Sequence, residues 1–144
     1  MPVKHVPDGY HSVTPYLVVK GVADLLPFLE KAFGASLSEC LRRPDGTVMH
    51  AEARIGDSVV MLGEASEKHP PRPSVLYLYV PDCDAAWRRA LAAGATSILE
   101  PTDQFYGDRS GGVADPCGNQ WWIGSRVEDL SPEEIARRAA KAGK

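Results

Sequence analysis

The sequence predicts an α+β domain built from two βαβββ modules whose curved, mixed sheets pair around a cavity. The chain has 144 residues, a length that suits one domain. A strand-then-helix pattern occurs twice, 60 residues apart, with Gly34-Ala35 ending the first helix and Gly94-Ala95 ending the second. Three strand-like runs follow each helix. Because one βαβββ sheet leaves a face open, a second copy supplies the opposite wall of a small-molecule pocket.

In the first module, a strand-like run over residues 17–24 turns into the start of a helix, which continues over 25–33. Apolar residues recur in that helix at the spacing of one helical face, and Gly34 follows where a left-handed residue is favoured. The turn formers Pro44-Asp45-Gly46 and Gly56-Asp57 separate three further strands. These strands are predicted over 36–42, 47–55 and 58–62.

The second module repeats this order. A strand over 77–80 leads into a helix over 85–93, which either Asp82 or Asp84 can cap. The later strands are predicted over 96–101, 109–114 and 120–125. After them, Ser131-Pro132-Glu133-Glu134 has the pattern of a capping box and opens a last, polar helix.

These elements set the predicted boundaries of the domain. It covers 10–128 and consists of a first module over 12–64, a linker over 65–73 and a second module over 74–128. The linker is rich in charged residues, His and Pro, which is typical of a solvated connection. Residues 129–144 are predicted to form an appended surface helix.

Composition narrows the class of protein. The net charge is −3, and no basic stripe is present, so a nucleic-acid partner is not expected. No apolar run approaches the roughly 20 residues that span a bilayer, so no membrane partner is expected either. The three cysteines, Cys40, Cys83 and Cys117, are widely spaced and odd in number. They are interpreted as ordinary thiols in a reducing compartment, which predicts a cytoplasmic protein.

Aromatic residues mark the predicted cavity. Tyr77 and Tyr79 alternate along one strand and share a face, while Leu76 and Leu78 suit the face packed on the helix. In the adjacent pair Trp121-Trp122 the rings point to opposite faces, and we expect Trp122 to line the cavity. Tyr77, Tyr79 and Trp122 are therefore predicted ligand-binding residues, since aromatic rings stack on flat ligands.

The loop from Gln104 to Arg109 is a second candidate for ligand binding. Tyr106 can stack and bond to a ligand, Gln104 offers an amide, and Arg109 can bind a carboxylate or phosphate. The alternative is a structural turn in which Asp108 and Arg109 pair with each other or with the backbone.

His50 and Glu52 alternate on one strand and share a face with Arg54. One interpretation is a polar cluster that faces the pocket, with Glu52 as a base and His50 as a proton donor. The other is an outward-facing polar stripe on a half-exposed strand. Together with Tyr106, Glu52 and His50 are the candidates for catalysis.

Four motifs resemble the PhnB-like branch of the vicinal oxygen chelate superfamily, which includes glyoxalase I, bleomycin-resistance proteins and extradiol dioxygenases. They are Thr14-Pro15-Tyr16-Leu17-Val18-Val19, Met49-His50-Ala51-Glu52, Asp103-Gln104-Phe105-Tyr106-Gly107-Asp108-Arg109 and Asp115-Pro116-Cys117-Gly118-Asn119-Gln120-Trp121. The resemblance implies the paired-module fold and a homodimer.

The resemblance also implies a test for metal chemistry. Enzymes of the superfamily hold a divalent metal with His and Glu side chains from the first and last strands of each module. Carried onto this sequence, the four positions fall at Thr14, Met61, Val75 and Trp122. Apolar side chains cannot ligate a hard cation, and one Thr hydroxyl is a poor substitute. No metal site and no cofactor are therefore expected.

The sequence thus favours a protein that binds a small molecule, without the usual metal. Two alternatives stay open. One is a metal-dependent lyase, isomerase or dioxygenase, and the other is a metal-free acid–base enzyme acting on a small organic substrate.

Overall fold

The computed structural model describes residues 3–143, excepting the side chains of Glu39 and Cys40. It confirms the α+β fold with two mixed sheets. Module 1 contains five elements: β1 (Tyr16–Val19), α1 (Val22–Phe33), β2 (Ser36–Arg42), β3 (Val48–Ile55) and β4 (Ser58–Glu64). Module 2 repeats them as β5 (Val75–Tyr79), α2 (Cys83–Ala92), β6 (Thr96–Asp103), β7 (Asp108–Ala114) and β8 (Gln120–Arg126). The last helix is α3 (Pro132–Lys141), and Lys144 lies outside the described residues.

Both sheets have the same topology. Their strand orders are β1-β4-β3-β2 and β5-β8-β7-β6. In each sheet the first strand runs parallel to the last, and the other pairings are antiparallel. The repeat extends to the register, because Tyr16 stands opposite Met61 as Tyr77 stands opposite Trp122.

Specific hydrogen bonds and one left-handed glycine define where the helices begin and end. Asp82, one of the two predicted caps, accepts a hydrogen bond from the Ala85 amide of α2 (3.1 Å). Gly34 ends α1 in the left-handed conformation (φ 68°), as predicted. The start of α1 has no side-chain cap of its own. Instead, the Glu64 carboxylate at the end of β4 accepts from the Gly21 and Val22 amides at 3.0 Å, which ties the helix to its sheet.

One continuous core joins the modules, because the two helices pack together and each covers one face of its own sheet. Arg89 of α2 donates to the Ala32 carbonyl of α1 (3.3 Å). The ring of Trp121, only 2% exposed, lies 5.0 Å from the ring of Phe33. We call the sheet faces turned away from the helices the open faces. Tyr16 on the open face of module 1 is 52% exposed.

The Asp115-Pro116-Cys117-Gly118-Asn119 motif serves the fold. The buried Asp115 carboxylate accepts from the Cys117 amide (2.8 Å), from the Asn119 amide and side chain (both 3.0 Å) and from Trp121 Nε1 (2.8 Å). Asn119 in turn accepts from the Ser74 amide, where module 2 begins (2.9 Å). The buried side chains of this turn therefore have partners, which is what burial of a carboxylate requires.

Helix α3 lies on the surface, and none of its described residues is buried. Ser131 accepts from the Glu134 amide (3.1 Å), which confirms the predicted cap. Arg138 forms a two-point ion pair with Glu128 (2.9 and 3.1 Å) that holds the helix against the end of module 2. No helix in the described part of the chain is both long and apolar enough to cross a membrane.

Candidate ligand-binding site

The floor of the candidate site is a set of aromatic rings on the open face of module 2. The Tyr77 and Tyr79 rings are 5.1 Å apart on β5, and Trp122 stands beside Tyr77 on β8. A Cβ atom added at Gly124 would lie 2.5 Å from the Tyr77 hydroxyl, and one at Gly112 would lie 2.8 Å from the Trp122 ring. The Tyr77 and Trp122 rings therefore lie close over glycines of the sheet, while the Tyr77 and Tyr79 rings are tilted by 52° to each other.

A buried carboxylate organises the tyrosines. Asp108, the first residue of β7, is 5% exposed, and its Oδ2 accepts from the Tyr77 hydroxyl (2.7 Å) and the Tyr79 hydroxyl (2.8 Å). Burial and the bond to Asp108 raise the pKa of Tyr77 above that of a free tyrosine. The bond to Asp108, followed by burial, also raises the pKa of Tyr79. Both phenols thus stay neutral near pH 7, with their protons directed at Asp108.

The C-terminal segment covers these aromatic rings from the side opposite the sheet. A cavity of about 460 Å³ lies between Tyr77, Tyr79 and Asp108 on one side and Leu130 and Ile135 on the other. Tyr106 and Arg126 complete its lining. Leu130 immediately precedes the cap of α3 and Ile135 follows in the first turns of the helix, the arrangement of a hydrophobic staple. The helix that the sequence predicts to be a surface appendage therefore also forms one wall of the pocket.

The structure brings together only some of the predicted ligand-binding residues. Tyr77, Tyr79 and Tyr106 line the same pocket, and Trp122 lies next to Tyr77 on the same face. Gln104 does not line it. Its main chain closes the β6–β7 turn, where its amide donates to the Asp108 carbonyl (2.7 Å).

Arg109 lies on the other side of the sheet. Its guanidinium makes two bonds to Asp84 of α2 (2.7 and 3.0 Å) and one to Asp103 (3.2 Å). The hydrogen bond from Arg109 lowers the pKa of Asp84. The alternative of an Asp108–Arg109 pair is wrong, because successive side chains of a strand point to opposite faces. Arg109 thus holds α2 to β7 and does not meet the tyrosines.

Two of the three catalytic candidates, His50 and Glu52, occupy the open face of module 1. Glu52 is 7% exposed and accepts a hydrogen bond from the Tyr10 hydroxyl, while His50 Nε2 lies 3.6 Å from the other Glu52 oxygen. The Tyr16 ring lies 5.8 Å from the His50 ring. His50 and Glu52 therefore form a polar cluster under the N-terminal arm and not an outward-facing stripe. Tyr106 lies in the module 2 pocket, which neither residue lines.

A second cleft runs along the junction of the modules. It has a volume of about 570 Å³ and is bordered by the β3–β4 turn around Asp57 and by Tyr77 and Tyr79 of β5. Arg89 and Phe33 also line it. Because Tyr77 and Tyr79 border both spaces, they are the residues that a ligand in either one would meet.

The positions implied for a metal do not carry metal ligands. Thr14 precedes β1, and its hydroxyl donates to the His11 carbonyl (3.2 Å). Across the first and last strands, Met61 faces Tyr16 and Trp122 faces Tyr77, so no imidazole or carboxylate stands there. Among the described side chains, no three His, Cys, Asp or Glu residues are arranged so that they could hold a metal ion. These residues do not fit a divalent cation.

Sequence reasoning missed four lining residues: Asp108, Arg126, Leu130 and Ile135. Strand alternation was the available signal for Asp108, since it places that side chain on the face opposite Arg109. The spacing of Leu130 and Ile135 around the cap was the signal for the roof. Strand alternation was also the available signal for Arg126, which lies four residues after Trp122 on β8 and therefore on the same face.

Comparison with known proteins identifies the family. Residues 9–123 match the model of the Glyoxalase/Bleomycin resistance protein/Dioxygenase superfamily, and the chain therefore belongs to that superfamily. An uncharacterized protein of Mycobacterium bovis is 36% identical over 143 residues, covering 92% of this chain and 94% of its own length. An uncharacterized protein of Mycobacterium tuberculosis has the same identity and covers 84% of its own length.

Solved structures share the fold. TioX from Micromonospora sp. ML1 has a TM-score of 0.65 and 24% identity, covering 81% of this chain and all of its own (100%). TnmS3, an antibiotic binding protein from Streptomyces sp. CB03234, has a TM-score of 0.64 and 20% identity, with 88% and 99% covered. At these identities the likeness concerns the fold and does not extend to the ligand.

Proposed function

We propose that this protein binds a small aromatic molecule in the pocket on the open face of module 2. The observation that carries the proposal is the gathering of Tyr77, Tyr79 and Tyr106 around buried Asp108, under Leu130 and Ile135. The volume of about 460 Å³ falls within the range of small-molecule sites. The exposed face of an aromatic ring offers a stacking surface that tolerates different planar ligands.

The similarity to TnmS3 supports the same interpretation at the level of the fold, since that protein is an antibiotic binding protein. Binding without a metal is part of the proposal, because the four implied positions lack suitable donors.

Membership of the PhnB-like branch is also proposed, on the motifs given above. So is a cytoplasmic setting, which suits the free thiols of Cys83 and Cys117. The side chain of Cys40 lies outside the described residues.

A homodimer completes the proposal. Val75, Tyr77 and Tyr79 share one face of β5 and are 70%, 44% and 62% exposed, which makes a contiguous exposed patch. A second copy would cover the part of this patch that α3 leaves open. Light scattering on the purified protein tests the assembly, and a monomer at all accessible concentrations would contradict it.

A metal-free acid–base enzyme is the second candidate. The buried Glu52, bonded to Tyr10 and next to His50, favours it because a shielded carboxylate beside an imidazole can relay a proton. Full activity of a Glu52→Gln variant on any substrate found would exclude this role.

The binding proposal is tested by screening a library of aromatic compounds with isothermal titration calorimetry, with and without EDTA. We expect hits whose affinity EDTA does not change. Ile135→Ala removes part of the roof and should weaken them about fivefold, since half-burying an aliphatic side chain contributes about 1 kcal/mol. Ile98→Ala is the matched control, because Ile98 is an exposed residue of β6 that does not line the pocket. Loss of binding on adding EDTA, or equal effects of the two variants, would contradict the proposal.

A further inference from the structure

In the module 2 pocket, the hydroxyl groups of Tyr77 and Tyr79 can still accept hydrogen bonds from a ligand, but they have no free proton to donate. The hydroxyl protons of Tyr77 and Tyr79 are both directed at Asp108 Oδ2. What these two phenols can still offer a ligand is their oxygen lone pairs and the faces of their rings. A ligand that carries only hydrogen-bond acceptors can therefore form no hydrogen bond with these two phenols.

The other oxygen of Asp108 is available. Among the described residues, Asp108 Oδ1 receives no side-chain hydrogen bond, and no buried polar atom lacks a partner, so Oδ1 is reached from the pocket that Asp108 lines. A carboxylate that lines an aromatic pocket can accept a charge-assisted hydrogen bond from a cationic donor, and such a bond is stronger than one between neutral groups.

The one cationic side chain among the described residues lining this pocket already has its own partners. Arg126 donates from Nε to the Glu128 carbonyl (3.4 Å), and its guanidinium bonds the Asp129 carboxylate. That ion pair lies at the rim, where Arg126 and Asp129 are both largely exposed. The charge on the floor of the pocket is therefore negative, while the charges at the rim balance.

We propose that the pocket selects cationic aromatic ligands, in which an ammonium group binds Asp108 Oδ1 and the ligand ring packs against one of the two tyrosine rings, which are tilted by 52° to each other. This inference rests on the proposed function and names the class of ligand for that site. The electron-rich faces of the tyrosines add a second attraction, since a cation near an aromatic face is stabilised by the ring quadrupole. The Asp108 carboxylate repels carboxylates and phosphates, so the same arrangement disfavours anionic ligands.

The test is a charge series on one ring system, titrated into the unmodified protein by calorimetry at pH 7. The probes are 2-naphthylmethylamine, 2-naphthylmethanol and 2-naphthoate, which are similar in size and differ in charge. We expect the amine to bind at least tenfold more tightly than the alcohol, and the carboxylate to bind most weakly. Equal affinities of amine and alcohol, or tighter binding of the carboxylate, would overturn the inference.

Two variants locate the preference. Asp108→Asn should reduce the advantage of the amine over the alcohol to within about threefold. Asp103→Asn removes the same charge from an exposed site on β6 and should keep the advantage. Loss of the advantage in both variants, or in neither, would overturn the assignment to Asp108.

The series remains informative if Asp108→Asn fails to fold, because the unmodified protein itself reports the preference. Nuclear Overhauser contacts between the naphthyl protons and the Tyr79 ring then locate the amine, and their absence would overturn the site.

Failure of the ligand class is distinguishable from failure of the proposed function. In the first case neutral library compounds still bind and Ile135→Ala weakens them, whereas in the second no compound responds to Ile135→Ala.

Discussion

The open faces of the two modules have the same layout and different contents. Each has a tyrosine of the first strand lying over a glycine of the last strand, Tyr16 over Gly63 and Tyr77 over Gly124. Each also has a buried carboxylate bonded to a tyrosine hydroxyl. In module 1 this is Glu52 with Tyr10 of the N-terminal arm. In module 2 it is Asp108, and its tyrosines belong to the sheet itself.

The difference teaches that segments outside the repeat decide what each face can hold. The N-terminal arm reaches onto module 1 through Tyr10, and the Gly9 carbonyl accepts from Arg54 (3.2 Å). Helix α3 instead stands over module 2 with Leu130 and Ile135 and leaves a cavity beneath. A duplicated fold therefore produces two inequivalent sites. The N-terminal arm bonds directly to the open face of module 1, whereas α3 covers the open face of module 2 and leaves a cavity.

The largest expected effect concerns the helix-facing side of the sheets. Trp121 occupies in module 2 the place that Val60 occupies in module 1, as the registers with Tyr77-Trp122 and Tyr16-Met61 show. Because Trp121 reaches Phe33 across the module boundary, Trp121→Ala should cost about 3–5 kcal/mol of unfolding free energy. Val60→Ala should cost about 2 kcal/mol, from lost methyl groups and a small cavity. Urea unfolding measures both, and equal costs would show that Trp121 does not bridge the modules.

The second prediction compares the two glycines under the tyrosines. A methyl group at Gly124 pushes the Tyr77 ring away from Asp108, so Gly124→Ala should cost about 1–3 kcal/mol through overpacking and a lost hydrogen bond. Tyr16 is half exposed, and its hydroxyl has no such bond among the described residues. Gly63→Ala should therefore cost less than about 1 kcal/mol, because the Tyr16 ring can turn outward. Thermal unfolding checks this order, and a larger loss for Gly63→Ala would contradict it.

The fold was readable from the sequence because its signals are local and occur twice. The helix caps at Asp82 and Gly34 depend on neighbouring residues, and the opposite faces of Trp121 and Trp122 follow from strand alternation. The start of α1 was predicted only as lying within the run 17–24, and the helix begins at Val22. The reason is non-local, since the Glu64 carboxylate from β4 satisfies the first amides of the helix.

The site was readable only in part. The tyrosines of β5 were placed correctly on the open face, because alternation separates them from Leu76 and Leu78. The roof was not predicted, since a polar helix such as α3 gives no sign of the surface on which its single Ile135 rests. Arg109 was assigned to the ligand because its charge suits anions, but Asp84, 25 residues away in sequence, binds it. Partners brought close by tertiary packing decide such roles, and no local pattern contains them.

The smallest expected effect is a difference in tyrosine ionisation between the modules. The chain has five tyrosines, and an absorbance titration at about 295 nm follows them together. The raised pKa values of Tyr77 and Tyr79 predict that these two ionise after the ordinary value of about 10. In Asp108→Asn this late phase should move back toward that value, because the carboxylate that holds the phenolic protons is gone. Glu52→Gln, the matched change in module 1, should leave the late phase in place.

The same shifts set the direction of the pH dependence of stability. A tyrosine whose pKa is higher in the folded than in the unfolded chain stabilises the fold fully below about pH 10. That contribution is lost as the pH rises from there through the raised folded values. Urea unfolding between about pH 9 and pH 11 should therefore show a decline that is steeper in the unmodified protein and in Glu52→Gln than in Asp108→Asn. Equal slopes in all three proteins would mean that Asp108 does not hold the two phenols, and the contrast between the modules would lose its chemical basis.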